Sequence, residues 1–194
     1  LRDVTTGGWT LGPDLDPFLF MRWAKYIIEH GALMTNDVLR YVPLGYDTRG
    51  ELILHPYMMA WFHKIAVLFG STSVEQSSAI YPVFFFAITV LAFFFLVRKF
   101  FLDELGVKKA NAIALISSFF LTVLPPLLPR TFSGIPEKES AGFFFLFATL
   151  FFFLSAWKSK HIWGKYVLAL LAGLFTAGMA LVWGGFVYIF VTLA

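Results

Sequence analysis

The sequence predicts an all-α, polytopic membrane protein, and three observations predict it. Hydrophobic residues make up 59% of the 194-residue chain and charged residues only 14%, far from the balance of a soluble domain. Phe alone accounts for 25 positions, with runs at 84–86, 93–95, 143–145 and 151–153 that are expected to face lipid or packed helices. Several apolar stretches reach or approach the ~20 residues that cross a ~30 Å hydrocarbon core. The absence of cysteine excludes disulfides, thiolate metal sites and cysteine nucleophiles. P-loop, dinucleotide-binding, HExxH and GxSxG patterns are also absent. The net charge of +3 says little by itself, and no nucleic-acid partner is expected.

Residues 1–78 read as a first external loop with two interfacial helices. Gly7-Gly8, Gly12-Pro13, Pro43, Gly45 and Gly50 break the stretch up to about residue 52, so it is aqueous rather than spanning. Within it a helix is expected over about 16–30, with Asp16 as N-cap, Pro17 at the first helical position and Gly31 as terminator. Phe20, Trp23, Ala24 and Ile27 populate one face of that helix and Arg22, Lys25 and Glu29 another, the pattern of a helix lying along the membrane surface. The run 52–69 is apolar but carries His55, His63 and Lys64, which makes it interfacial, with both histidines as interfacial residues.

Residues 79–194 read as transmembrane helices at 79–101, 110–128, 140–157 and 166–182, followed by 186–194, which stops about halfway through a span. The first of these, ~34 Å long as a helix, is free of charge until Arg98. Trp183, beside two glycines at a helix end, suits an aromatic belt. The opening Leu1 and the unfinished last run suggest an internal piece of a longer protein. Arg98, Lys99, Lys108 and Lys109 flank one loop and Lys158, Lys160 and Lys165 fill another, so both loops are expected to be cytoplasmic. Residues 129–139 and 1–52 then share the external face, provided the 52–69 run does not cross.

Two acidic patches fall on that face, Asp14-Leu15-Asp16-Pro17 and Glu137-Lys138-Glu139. Carboxylates at the rim of a bilayer need a reason, and hard divalent cations that take oxygen ligands supply one. Asp16, Glu137 and Glu139 are therefore candidate metal ligands, and Arg130 is a candidate for neutralising them or gripping a phosphate. Glu137 and Glu139 converge on one point only if the backbone there is extended; on a helix they diverge by about 200°. Helix capping is the simpler explanation of each patch taken alone, because Asp before Pro and Glu in a first turn both suit a helix N-terminus.

Taken together, the run from Asp14 to Ala24 and the run Arg130-Thr131-Phe132-Ser133-Gly134-Ile135-Pro136-Glu137-Lys138-Glu139 resemble the first two acidic motifs of oligosaccharyltransferase catalytic subunits. Arg40 to Asp47 followed by His55-Pro56-Tyr57 is similar to archaeal members. The resemblance implies the amino-terminal part of a C-type membrane glycosyltransferase fold, beginning after the first span and ending in the sixth. It implies transfer of an oligosaccharide from a polyprenyl or dolichyl phosphate or diphosphate carrier to Asn of Asn-x-Ser/Thr in an acceptor polypeptide. It further implies Mn²⁺ or Mg²⁺ as cofactor, with Asp16, Glu137 and Glu139 catalytic and metal-ligating, Asp16 contacting the acceptor amide, and Arg130 toward the lipid phosphate. The protein would be a multi-pass integral membrane protein, in the cell membrane if archaeal, with its active face external, and this fragment alone would be inactive. The usual second motif is Asp-x-Asp or Asp-x-His; here it is Glu-x-Glu after a proline. Another polyprenyl-phosphate-sugar transferase and a transporter fragment are the competing functions, although the spans carry almost no ionisable residues.

Overall fold

The computed structural model describes residues 5–193, so the outer ends of the segments expected at 1–78 and 186–194 lie outside it. The chain divides into two compact units. One holds the residues through Tyr81 together with Ser133–Pro136; the other holds Pro82–Phe132 and the residues from Glu137 onward.

In the first unit, α1 (Leu15–His30) buries Pro17, Phe20, Trp23, Ala24 and Ile27, one stripe at helical spacing, against α2 (Leu54–Leu68). The N-cap is Asp14 and not Asp16: Asp14 Oδ1 accepts the Leu15 amide at 2.8 Å. Pro17 is tolerated inside the first turn because amides there have no intrahelical partner. Gly31 closes the helix at φ 83°, its amide on the Ile27 carbonyl at 2.8 Å. At 15 residues, α2 is ~22 Å long, too short to cross a bilayer without help.

Between α1 and α2, β1 (Asn36–Asp37) and β2 (Tyr46–Asp47) pair antiparallel. Asp37 has no solvent exposure and is held by four donors: both terminal nitrogens of Arg22, the Trp23 indole at 2.9 Å and the Leu39 amide at 3.1 Å. Burial pushes its pKa up, but the bonds from Arg22, Trp23 and the Leu39 amide outweigh it and hold the carboxyl at about 2. Lys25 pairs with Glu75, tying α1 to the start of α3 (Val74–Thr122).

Three helices of the described residues are long and apolar enough to cross a membrane, α3, α4 (Lys138–Trp157) and α5 (Ile162–Val182). The 49 residues of α3 would measure ~74 Å if straight, more than twice the hydrocarbon thickness. Gly106 breaks it with φ 71° and ψ 170°, a conformation open to glycine. The charged stretch between the spans at 79–101 and 110–128 is therefore helical on both sides of a single irregular residue. The second half of α3 ends at Thr122, ahead of Pro125-Pro126, rather than at 128.

In the second unit, much of the Phe enrichment is used in helix packing. Phe175 of α5 meets Phe144, Phe145 and Phe152 of α4 at 5.7, 5.9 and 5.2 Å between ring centroids, and Phe93 of α3 meets Phe147 at 4.9 Å. Glycines supply the room for these rings. A Cβ on Gly178 would lie 2.6 Å from Phe145, and one on Gly142 would lie 2.9 Å from Trp183. Trp183 thus packs inside this unit as well as lying at a helix end. Lys158 closes the opposite end, donating to the Phe100 carbonyl at 2.9 Å and pairing with Asp103 at 3.1 Å. After a 3₁₀ turn at Gly184–Phe186, α6 (Val187–Leu193) follows.

Candidate active site

Asp16 is exposed in the first turn of α1, where a carboxylate interacts favourably with the helix dipole. Glu137 is the N-cap of α4 with extended backbone, φ −79° and ψ 157°, and Glu139 is in the first turn of the same helix. The Glu-x-Glu motif therefore straddles a helix start, extended at its first residue and helical at its last. Glu137 is only 4% exposed, and its carbonyl accepts both the amide and the hydroxyl of Ser140, at 3.1 and 2.7 Å. Arg130 lies 3.6 Å from the Glu137 carboxylate, an ion pair rather than a hydrogen bond at that distance. A buried carboxylate needs such compensation.

The segment leading into Glu137 is fixed by backbone bonds. Gly134 sits at φ 87°; its amide and the Ser133 hydroxyl both reach the Ala79 carbonyl at 2.9 Å, and its carbonyl accepts the Gly12 amide at 2.7 Å. A Cβ on Gly12 would lie 3.0 Å from the Ile135 side chain. The chain before the first acidic motif is thereby bonded to the chain before the second.

His55 completes this arrangement and is buried within the protein. It has no solvent exposure, and its Nε2 lies 2.9 Å from the Pro136 carbonyl. A carbonyl only accepts, so Nε2 carries the proton. Nδ1 faces the Tyr81 hydroxyl at a long 3.4 Å, and the ring meets Phe20 edge-on at 4.9 Å. The sequence offered one pointer to it: His55 directly precedes Pro56, and a proline in the first turn of α2 anchors the helix start on which this ring is carried. His63, on the same helix, bonds Ser77 through Nδ1 at 2.8 Å.

Asp16, Glu137 and Glu139 are hard oxygen donors of the kind Mg²⁺ and Mn²⁺ take. Among the described residues, however, no three acidic, His or Cys side chains gather closely enough to hold an ion as a set. The donor chemistry suits a divalent cation, one completed by ligands beyond the carboxylates of the described residues.

Helices of spanning length, with acidic residues in the first turns of α1 and α4, define an integral, polytopic α-helical membrane protein. The family model described as oligosaccharyl transferase STT3, N-terminal, matches residues 7–194, and the chain belongs to that family. It is 24% identical over 184 residues to the STT3 subunit of the Saccharomyces cerevisiae dolichyl-diphosphooligosaccharide–protein glycosyltransferase, covering 91% of this chain and 24% of the yeast protein. The crystal structure of the Archaeoglobus fulgidus oligosaccharyltransferase in complex with Zn and sulfate shares the fold, with a TM-score of 0.75 at 22% identity over 94% of this chain and 23% of the other. The chain thus spans about a quarter of the length of these relatives.

Proposed function

We propose that this chain is the amino-terminal part of an oligosaccharyltransferase catalytic subunit. The protein transfers an oligosaccharide from a polyprenyl or dolichyl phosphate or diphosphate carrier to Asn in Asn-x-Ser/Thr of an acceptor polypeptide. The observation that carries this reading is the family match over residues 7–194, which includes both acidic motifs in one stretch. The active face is external, which in an archaeal host is the outer face of the cell membrane.

An amide nitrogen is a poor nucleophile because its lone pair is delocalised into the carbonyl. Asp16, exposed at the start of a rigid helix, accepts hydrogen bonds from the acceptor amide and holds it in a reactive orientation. Glu137, buried beside Arg130, and Glu139 would hold Mn²⁺ or Mg²⁺; such ions usually use one or two carboxylates and complete their shell with substrate phosphate and water. A cation held there would supply stabilisation of negative charge on the leaving phosphate. The Zn bound to the Archaeoglobus fulgidus enzyme is consistent with a divalent site of this type. Arg130, 44% exposed at its side chain, is available to the carrier phosphate while it balances Glu137.

The test uses the complete protein in native-like membranes with a lipid-linked oligosaccharide and an Asn-x-Thr peptide. Asp16→Ala is expected to reduce glycopeptide formation at least about a hundredfold with membrane expression unchanged, and EDTA to abolish it until Mn²⁺ or Mg²⁺ is restored. Wild-type activity in Asp16→Ala would remove Asp16 from the mechanism, and activity in EDTA would remove the metal.

A further inference from the structure

We propose that His55 is a positioning residue that fixes Pro136, the last residue of the lead-in to the second acidic motif, against the helix bearing the first. This rests on the oligosaccharyltransferase reading above, and it assigns a role to a residue outside both motifs. The imidazole is fully buried, with both nitrogens facing polar partners and the ring edge-on to Phe20 and Tyr81. Its Nε2 proton goes to the carbonyl of Pro136, the residue bonded to Glu137. Its Nδ1 meets the hydroxyl of Tyr81, itself without solvent exposure. Its ring packs edge-on against Phe20, one helical turn beyond Asp16 on α1.

The geometry gives the ring a specific task. Pro136 has no amide proton, so its carbonyl is the one main-chain polar group by which it can be held, and a buried carbonyl requires a donor. Ser133 and Gly134 are already anchored on Ala79, and the bond from His55 fixes the last peptide before Glu137. Tyr81, by donating to Nδ1, selects the tautomer whose proton lies on Nε2. Phe20 and Pro136 meet the same ring, so a tilt of the imidazole moves the lead-in to Glu137 relative to α1. Misplacement of about 1 Å of a catalytic group costs on the order of a hundredfold in rate.

The proposal is tested in the complete protein by glycopeptide kinetics and by hydrogen–deuterium exchange of the 131–140 segment. His55→Phe keeps the ring and its contact with Phe20 but removes the donor. It is expected to raise exchange in 131–140 and to lower kcat at least about tenfold, with KM for the lipid carrier changed less than about threefold. His55→Gln, whose amide nitrogen sits at the same number of bonds from Cβ as Nε2, is expected to restore protection and return kcat to within about threefold of wild type. His55→Asn, one bond shorter, is expected to behave as Phe does. If His55→Phe is not recovered folded, the contrast between Gln and Asn decides. Unchanged exchange and kcat in His55→Phe, or identical behaviour of Gln and Asn, would overturn the proposal. A wild-type protein that transfers no glycan defeats the functional reading instead, and the exchange contrast then still decides the role of His55.

Discussion

Trp23 donates its indole N–H to Asp37 at 2.9 Å, and neither residue has any solvent exposure. This pair joins α1 to the β1–β2 ribbon around a buried charge that Arg22 balances. Asp37→Ala removes one partner from a buried, hydrogen-bonded pair and is expected to destabilise the protein by about 3 kcal/mol, read as a lower melting temperature in detergent. The pH dependence has a definite sign. The folded pKa of about 2 lies below the ordinary carboxylate value of 3.8, so the contribution of Asp37 is complete above about pH 4 and is lost as pH falls toward 2. Asp37→Asn should flatten that part of the stability profile.

His63 has the opposite charge behaviour. Burial lowers its pKa from the ordinary 6.5 even though the Glu75 carboxylate pulls it up, so folding favours the neutral ring that bonds Ser77. Stability is therefore expected to be highest above pH 6.5 and to fall as pH drops through the histidine range, where the unfolded chain binds the proton more readily. His63→Gln should remove that slope from a series of melting curves between pH 5 and pH 8.

Gly106 carries the conformation that divides α3, and any side chain there meets the left-handed backbone penalty whatever space surrounds it. Gly106→Ala is expected to cost about 1–3 kcal/mol. The internal control is Gly173 in α5, where an added Cβ meets nothing within 4 Å; Gly173→Ala is expected to stabilise by about 0.5–1 kcal/mol. Equal melting temperatures for the two variants would contradict the strain argument.

Gly178 and Phe145 form a lock between α4 and α5. Gly178→Ala places a methyl group 2.6 Å from the Phe145 ring edge, so the ring has to move, at an expected cost of about 1–3 kcal/mol. Phe145→Leu should relieve part of that cost, and a double-mutant cycle should give a coupling of about 1 kcal/mol. Strict additivity would show that the ring is free to turn away.

The helical membrane class was legible from composition because lipid permits few ways to satisfy a backbone, and apolar length alone then selects helices. The buried stripe of α1 was legible too, since Phe20, Trp23, Ala24 and Ile27 fall at helical spacing. The cap of α1 was not: Asp14 and Asp16 are equally good on local grounds, and only the Leu15 amide bond distinguishes them. Gly106 was hidden inside a charged stretch that reads as a loop, yet one residue makes the break. In the candidate site, the acidic motifs stood out because carboxylates are rare near apolar runs. His55 did not, because the partner that gives it meaning is 81 residues away and is a main-chain carbonyl, an atom every residue has.

The bonds around Gly134 draw three distant stretches of chain to one point. Gly12, Ala79 and Gly134 are linked by hydrogen bonds of 2.7 and 2.9 Å, although 67 residues separate the first two in sequence and 55 the last two. Any arrangement that parts two of the three, by sliding a helix or by placing them at different depths, has to break these bonds.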